Sequence, residues 1–393
     1  MLELDAIDLY YLRMPEVRDI GDGSQDALLV RARGGGVEGW GECEAAPLPC
    51  LAAWCAPMSH SACHPVEDVV RGVRLDHPRD IVALNRRVRA DCLDLLQAAH
   101  LLSGIDTALW DLLARHHEVS VPELLDAGEL HPKRPYASVL FGDDPAATER
   151  IARDCRQTGF TAAKFGWGPF GRGSIAEDTA HLEAARAGMG PHAEVLVDAG
   201  TVWYDDVERA AACLPALEAI GAGWLEEPFV SGALAAYRVL CSRSPTVPLA
   251  AGEGAHQAEQ AEHLVDYGGV GYVQIDAGRI GGISSARQVA RFACERGVRY
   301  VNHTFTSDLA LAASLAPYWD DGASSLCEYP TALAPLARDL TLERIVPDDD
   351  GLIHPPQGSG LGVRPDPETI TRYALDVEIT VAGTPIYRSP ELP

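Results

Sequence analysis

The sequence predicts an α/β protein with a modified (β/α)8 (TIM) barrel and an α+β capping domain, which the N-terminal region and the C-terminal tail form together. From residue 136 onward, eight short apolar runs alternate with stretches of helical spacing. Seven of the runs end near a polar residue, and these ends lie 23 to 34 residues apart, as one βα unit requires. They are Lys164, Asp198, Glu226, Glu253, Asp276, His303 and Glu328. Polar residues at the carboxyl end of each strand are typical of a barrel, whose sites lie on that face.

A doubly wound open sheet is the competing architecture. Its ligand crevice lies at one switch point and would not collect residues from all of the strands. We therefore expect a barrel domain at residues 133–350, with its first strand at 136–141. Residues 1–132 are expected to form the N-terminal part of the capping domain, and residues 351–393 a tail that returns to it.

The first 132 residues do not follow the βα alternation. Three β-like runs at 4–12, 27–33 and 37–42 precede three segments of helical periodicity at 66–72, 81–99 and 103–115, the last with Ser103 as its expected N-cap. The tail is β-like at 373–381 and is expected to complete the N-terminal sheet. Two segments, 18–25 and 46–65, are too long for simple connections and are expected to cover a site.

Composition excludes several classes of protein. The content of 47% hydrophobic and 23% charged residues is that of a soluble globular protein, and no run approaches the roughly 20 apolar residues that cross a bilayer. The formal net charge of −25 argues against a nucleic-acid partner, because phosphate binding needs a basic surface. The N-terminus alternates apolar and polar residues and has no basic segment, so we expect a cytoplasmic protein without a signal peptide.

The ten cysteines include no Cys-x-x-Cys pair. The densest group is Cys50, Cys55, His60, Cys63 and His64, whose residue types suit zinc. Its spacing matches no zinc module, so reduced thiols of a cytosolic protein are the favoured interpretation.

Three acids stand at the ends of successive predicted strands. Asp198, Glu226 and Glu253 lie 28 and then 27 residues apart. On parallel neighbouring strands they converge on one point, where three carboxylates repel one another unless a cation lies among them. The pattern predicts a divalent-metal site, although any one of these acids alone would be interpreted as a surface carboxylate.

Seven short motifs extend over nearly the whole chain: Gly39–Glu42, Ser103–Asp111, Val197–Gly200, Glu226–Pro228, Ala251–Glu253, Asp276–Gly282 and Asn302–Thr304. Each alone is weak. Together, in this order and at barrel spacing, they resemble the enolase superfamily and, within it, the mandelate racemase-like subgroup. The resemblance implies a small-molecule carboxylate as substrate, Mg²⁺ as cofactor, and a homo-oligomer.

Carried over to this sequence, the resemblance implies that Asp198, Glu226 and Glu253 bind Mg²⁺. Glu227 follows one of these ligands directly. Because side chains alternate along a strand, Glu227 is expected to point away from the site.

The resemblance also supplies the catalytic candidates. His303 with Asp276 resembles a His–Asp dyad, in which the acid fixes the imidazole tautomer and raises its basicity. Glu328 resembles the acid on the last strand that hydrogen-bonds a substrate carboxylate oxygen.

Lys164 marks a departure from the family pattern. Relatives carry Lys-x-Lys at the end of the second barrel strand, and the second Lys is a base on the face opposite the histidine. An ungapped count places Lys164 at the first Lys and Gly166 at the second, whereas alignment on Lys-Phe-Gly makes Lys164 the second. We favour the ungapped count, because a two-residue deletion would break the strand register. The run through Trp167-Gly168-Pro169 then resembles rhamnonate dehydratase-like members, which lack the second Lys.

The favoured hypothesis is Mg²⁺-dependent dehydration of a sugar acid to a 2-keto-3-deoxy acid, a carbon–oxygen lyase reaction. The metal and Lys164 would bind the carboxylate and stabilise the enediolate, while His303 removes the α-proton and returns it to expel the β-hydroxyl. A racemase or epimerase needs a second base opposite His303, and a cycloisomerase is a further alternative. A non-catalytic ligand-binding protein is the alternative from another class, and a base paired with metal ligands argues against it.

Overall fold

The N-terminal region forms a four-stranded antiparallel sheet in the structure, a computed structural model that describes residues 2–393. Its strands lie in the order β3-β2-β1-β4. They are β1 (Leu2–Arg13), β2 (Asp26–Gly34), β3 (Val37–Cys43) and β4 (Arg74–Leu75). A 3-10 turn at Gly23–Gln25 precedes β2.

The capping domain also contains five helices, of which α4 packs against β2 and β3: α1 (Pro47–Cys55), α2 (Val66–Val70), α3 (Pro78–Asp91), α4 (His100–His116) and α5 (Val121–Leu124). Three expectations were wrong here. The segment 46–65 contains α1, which buries Leu51 and Trp54 and is no open loop. The helix expected at 81–99 ends at Asp91. Ser103 lies inside α4, which begins one turn earlier because Leu101 and Leu102 are also buried.

Eight parallel strands follow in the order β11-β10-β9-β8-β7-β6-β5-β12. They are β5 (Arg134–Leu140), β6 (Ala162–Gly166), β7 (Glu194–Asp198), β8 (Ala222–Glu226), β9 (Leu249–Ala251), β10 (Tyr272–Ile275), β11 (Arg299–Asn302) and β12 (Leu326–Pro330). The helices are α6 (Pro145–Gln157), α7 (Ile175–Met189), α8 (Val207–Ala219), α9 (Leu234–Arg243), α10 (Ala258–His263), extended by a π-helical turn at Leu264–Gly268, α11 (Gly282–Glu295) and α12 (Asp308–Leu315), followed by a 3-10 turn at Ala316–Tyr318. The (β/α)8 barrel with a capping domain is therefore confirmed.

An apolar layer fills the amino-terminal half of the barrel. It consists of Tyr136, Ala162, Leu196, Trp224, Ala250, Val301 and Leu326, all of them buried. On three of these strands, the next inward-facing position lies two residues further along the chain. These positions are occupied by Lys164, Asp198 and Glu226. Because side chains alternate across a strand, the same register that buries the apolar layer aims the polar residues into the open end of the barrel.

The tail forms α13 (Pro335–Asp339), α14 (Pro367–Tyr373), β13 (Glu378–Val381) and β14 (Thr384–Arg388). It contacts the capping domain, since Leu375 N donates to Tyr11 O and the Tyr387 hydroxyl donates to Leu9 O. The expectation that the tail completes the N-terminal sheet holds only for one antiparallel bridge, between Leu12 of β1 and Ala374, because β13 and β14 pair with each other as a separate hairpin. Among residues 2–393, no helix is both long enough and apolar enough to span a bilayer.

Candidate active site

The structure brings all seven predicted residues to the carboxyl end of the barrel. Lys164 lies within β6 and Glu328 within β12, whereas Asp198 and Glu226 end β7 and β8. Glu253, Asp276 and His303 follow β9, β10 and β11 within two residues. A cavity of about 340 Å³ is lined by five of the seven: Lys164, Asp198, Glu253, His303 and Glu328. Glu226 and Asp276 lie directly behind it, each bonded to a residue of the lining.

Lys164 is the central cation of the cavity. Its Nζ lies 2.6 Å from Glu226 Oε1, 2.7 Å from Glu328 Oε1 and 3.9 Å from Asp198 Oδ2. The side chain is buried, and burial alone would lower the pKa of Lys164, but the neighbouring carboxylates raise that pKa well above its usual value. Lys164 therefore stays charged and can attract the carboxylate of a ligand.

Glu328 is held on both of its oxygens. Oε1 accepts from the Ser138 hydroxyl at 2.8 Å as well as from Lys164, and Oε2 accepts from Thr304 N at 2.8 Å. Sequence reasoning missed the Ser138 contact, because a serine in the middle of β5 belongs to no motif. These bonds fix the carboxylate at the wall of the cavity.

His303 forms the predicted dyad. Its Nδ1 lies 2.7 Å from Asp276 Oδ2, and its Nε2 faces the cavity, 3.1 Å from Glu253 Oε2. Burial would lower the pKa of His303, but Glu253, Glu328 and Asp276 outweigh burial and raise the pKa to about 10. Asp276 itself is oriented by Gly278 N, which donates to its other oxygen at 2.6 Å.

Burial is the largest single influence on the pKa of each of the three candidate metal ligands, but its outcome differs among them. It raises the pKa of Asp198 to about 7 and that of Glu226 to about 8, in both cases against the opposing charge of Lys164. Burial acts in the same direction on Glu253, but His303 and Arg279 outweigh it and lower that pKa to about 2.

The donor chemistry of these three acids fits a divalent cation. Carboxylate oxygens are the ligands that Mg²⁺ prefers, and a cation would relieve the charge that burial penalises on Asp198 and Glu226. Within residues 2–393, no three acidic, imidazole or thiol side chains are already grouped as metal ligands. In the structure, two of the acids are paired with basic side chains: Glu226 with Lys164, and Glu253 with His303.

Glu227 departs from strand geometry. Its φ of 39° is left-handed, so the alternation on which the sequence-based expectation rests stops at Glu226. The carboxyl group is buried, its Oε1 makes no hydrogen bond within residues 2–393, and burial next to Glu253 raises its pKa to about 8.

Gly166 stands where the second Lys of the family pattern would lie on the ungapped count. A Cβ added to Gly166 would lie 2.8 Å from Asp198 Oδ2, closer than Cβ atoms approach such a group. The space for a side chain at this position is already taken by Asp198. Among the cavity-lining residues in the described part of the chain, His303 is the one imidazole and Lys164 the one lysine, so the cavity holds no second lysine of the Lys-x-Lys pattern.

One of the two expected covering segments covers the cavity. Residues Ile20, Gly21, Asp22 and Gly23 line it, whereas residues 46–65 do not. Trp167 joins this loop to the barrel, since a Cβ added to Gly21 would lie 3.3 Å from its ring and one added to Gly200 would lie 3.1 Å from it. The absence of side chains at these two glycines lets the indole pack between them.

Arg279 connects the capping domain to the cavity. Its Nε donates to Glu44 Oε2 at 2.5 Å and its Nη2 to Glu44 Oε1 at 2.8 Å, while its Nη1 lies 3.4 Å from Glu253 Oε1. Glu44 was not among the residues predicted from the sequence. Its position two residues after the Gly39–Glu42 motif was the only available signal.

Comparison with protein families gives two matches that divide the chain as the fold does. The profile described as "Mandelate racemase / muconate lactonizing enzyme, N-terminal domain" matches residues 20–126, and that described as "Enolase C-terminal domain-like" matches residues 146–369. The chain belongs to the mandelate racemase branch of the enolase superfamily. This enolase-superfamily protein is thus an enzyme by family, and the predicted resemblance is confirmed.

Solved and curated relatives agree with this assignment. A crystal structure of a predicted mandelate racemase from Rhodobacter sphaeroides is 53% identical, covers 100% of both chains and superposes with a TM-score of 0.96. A D-galactarolactone cycloisomerase of Agrobacterium fabrum is 29% identical over 70% of this chain and 74% of its own length. A D-galactonate dehydratase of Xanthomonas euvesicatoria is 28% identical over 74% of this chain and 75% of its own length.

Proposed function

We propose that this enzyme dehydrates a sugar acid to a 2-keto-3-deoxy acid with Mg²⁺ as its cofactor. The observation that carries the proposal is that the cavity has one His–Asp dyad, His303 with Asp276, while Lys164 is paired with Glu226 and Glu328 and Gly166 packs against Asp198 where the second Lys of the family pattern would stand. Racemisation needs a proton donor on each face of the substrate, whereas a syn elimination needs one group that first accepts and then donates a proton.

Lys164 would receive the carboxylate of the substrate, and Glu328 would hydrogen-bond one of its oxygens in the form that carries a proton, since two ionised carboxylates repel one another. Lys164 supplies a permanent positive charge, and Glu328 is held rigidly by Ser138 and Thr304 N. A ligand carboxylate at Lys164 would share one cavity with His303 Nε2, and its α-carbon would lie beside this base in a productive complex. Binding of the carboxylate would thus hold the substrate in the orientation that proton transfer to His303 requires.

His303 would perform both proton transfers. With Glu253 engaged by Mg²⁺, the largest of the charges that keep His303 protonated would be neutralised, so that Nε2 would enter the reaction without a proton. Nε2 would then take the α-proton, and the same proton would go to the β-hydroxyl, which leaves as water. The enol that results tautomerises to the 2-keto-3-deoxy acid, so the reaction consumes nothing else. Asp276 keeps Nδ1 protonated and so leaves Nε2 as the reactive nitrogen.

Asp198, Glu226 and Glu253 would hold Mg²⁺. Enolase-superfamily sites use a Lys or His base with Mg²⁺, so this assignment follows from family membership together with the donor set. When bound, the ion supplies Lewis-acid stabilisation of the negative charge that develops on the substrate carboxylate.

A cycloisomerase is the second candidate, because a relative of this name covers most of the chain at 29% identity. Opening or closing a lactone by β-elimination uses the same α-proton transfer by a single base. The two activities differ in their products, since a dehydratase releases water and forms a keto acid, whereas a cycloisomerase keeps the mass of its substrate.

The deciding experiment incubates the purified enzyme and Mg²⁺ with hexonic, pentonic and aldaric acids and their lactones, and measures keto-acid formation and product mass. We expect one acid to lose water, and this loss to stop with EDTA and in His303→Asn. A product of unchanged mass would replace dehydration with cycloisomerisation. No product and no α-proton exchange in D2O, with binding retained, would point to a non-catalytic ligand-binding protein.

A further inference from the structure

The loop that follows Asp276 is held by the capping domain through a set of buried hydrogen bonds. Asp106 in α4 accepts from Ser284 N at 2.9 Å with one oxygen and from Asn85 Nδ2 at 2.9 Å with the other. The same Asn85 Nδ2 also donates to Gly281 O at 2.7 Å. Asp106 is only 1% exposed, so this contact lies in the interior between the two domains.

Two further side chains of the capping domain complete the contact. Ser103 Oγ accepts from Gly281 N at 2.8 Å, and Arg89 Nη2 donates to Ile280 O at 2.7 Å. Ser103, which the sequence predicted to be the N-cap of α4, therefore does not cap this helix: its hydroxyl donates to Ala99 O one turn earlier and accepts from the barrel loop.

Asp106 acts as the N-cap of a helix to which it does not belong. Helix α11 begins at Gly282 after Gly281, which has no side chain and leaves the first turn without a cap of its own. The Asp106 carboxylate bonds the free Ser284 N–H of this turn and places a negative charge at the positive end of the helix. Helix α11 is the connection between β10, which precedes Asp276, and β11, which precedes His303.

Two positions of the barrel loop have no space for a side chain, because the capping domain packs directly against them. Gly281 and Gly282 have φ values of 106° and 87°, and an added Cβ would collide with Arg89 at the first and with Asp106 at the second. Two successive glycines are required here both by the backbone conformation and by the closeness of the capping domain.

Short bonds connect this loop to the dyad. Asp276 O accepts from Arg279 N and from Ile280 N, both at 3.1 Å, and Asp276 Oδ1 accepts from Gly278 N at 2.6 Å. The other carboxylate oxygen, Oδ2, bonds His303 Nδ1. The position of the dyad thus depends on a loop whose far end is fixed by another domain.

We propose that Asp106 is a positioning residue for proton transfer: by capping α11 from the capping domain, it holds the 277–284 loop and so fixes Asp276 against His303. The kinetic part of this inference rests on the proposed function, and the structural part does not. Asp106 lies outside the cavity lining and bonds Ser284 N and Asn85, so its effect on turnover passes through the loop.

The test compares Asp106→Asn with Asp111→Asn. Both acids lie in α4 and are buried, but Asp111 accepts from Trp40 N, Leu361 N and Arg115 Nε, away from the dyad. In Asp106→Asn the new amide NH2 faces the Asn85 NH2, and the negative charge at the helix start is lost. Ser103→Ala removes the acceptor of Gly281 N, together with a hydrogen bond to Ala99 O at the start of its own helix, and serves as a milder second variant in a helix that tolerates alanine.

Hydrogen exchange measured by mass spectrometry gives a readout that needs no substrate. We expect faster exchange at residues 277–286 and 300–306 in Asp106→Asn, a smaller effect there in Ser103→Ala, and none there in Asp111→Asn. Unchanged exchange in these segments for both Asp106→Asn and Ser103→Ala would overturn the proposal.

Turnover gives the second readout. With the acid found for the wild-type enzyme, we expect Asp106→Asn to lower kcat by about 10-fold or more and to change KM by less than about 3-fold, because the reacting groups and not the binding groups are displaced. An equal fall in kcat in Asp111→Asn would show general destabilisation and overturn the proposal. A wild-type enzyme inactive on every acid would refute the proposed function instead, and the exchange comparison would still decide the role of Asp106.

Discussion

The side-chain amide of Asn302 bonds both backbone groups of Glu328. Asn302 Oδ1 accepts from Glu328 N at 2.9 Å, and Asn302 Nδ2 lies 3.3 Å from Glu328 O as a donor. Strands β11 and β12, both within the described chain, have no backbone ladder between them, so this amide closes the barrel at its last seam. Asn302 directly precedes His303 in the chain, and its two hydrogen bonds hold β12, the strand that carries Glu328.

Asn302→Leu should destabilise the protein by about 1–3 kcal/mol for each backbone group left without a partner. The measurement is the free energy of unfolding in urea. Gln274→Leu on β10 is the matched control, because neither amide atom of buried Gln274 has a hydrogen-bond partner within residues 2–393. Equal losses in the two variants would contradict the closing role of Asn302.

Lys164→Met should abolish turnover and destabilise the protein by about 3–5 kcal/mol, because it leaves buried Glu226 and Glu328 without their cation. Lys133→Met is the control. Buried Lys133 donates to two backbone carbonyls, Asp321 O and Ser324 O, and lies outside the cavity lining. We expect kcat of Lys133→Met to equal that of the wild type in the folded fraction. A Lys164→Met variant of wild-type stability would refute the ionic role.

Gly166→Ala should weaken Mg²⁺ binding by about 10-fold or more, because the added methyl group displaces the Asp198 carboxylate. Titration calorimetry of the EDTA-treated protein measures this affinity. Gly232→Ala provides the comparison, since a Cβ added there would meet no atom of residues 2–393 within 4 Å beyond its chain neighbours. If Gly166→Ala binds Mg²⁺ as the wild type does, Asp198 is not a ligand or is free to move.

Glu42→Gln should remove a pH dependence of stability. Burial raises the pKa of Glu42 from 4.5 to about 7, against the hydrogen bond from Ser307. The folded protein therefore binds a proton more tightly than the unfolded chain, and stability contributed by this group falls as pH rises from about 4.5 to 7, with the full loss above pH 7. A shift of this size corresponds to about 3 kcal/mol.

We expect the free energy of unfolding of Glu42→Gln, relative to the wild type, to rise by up to that amount between about pH 4.5 and about pH 8. Denaturant titrations across this range measure it. The exposed acid Glu38, on the same strand, supplies the control variant Glu38→Gln. A difference between Glu42→Gln and the wild type that is constant with pH would show that Glu42 does not titrate in this window.

The candidate site was largely predictable because its residues stand at strand ends. Asp198, Glu226 and Glu253 follow apolar runs of regular spacing, and eight such runs close into a barrel in only one way that brings their ends together. Glu44 and Ser138 were not predictable. Each acts through one contact with a residue far away in the sequence, and no local pattern records that contact.

By itself, the sequence determined the barrel, the capping domain and the identity of the seven polar residues, because apolar periodicity and strand-end positions are local properties of the chain. Tertiary structure decided how those residues are used: that Lys164 lies between Glu226 and Glu328, that Asn302 replaces a backbone ladder, and that the tail pairs with itself. It also decided that Asp106 caps a helix of the other domain. Such contacts join residues far apart in the chain, and their geometry follows only from the packing of complete elements against one another.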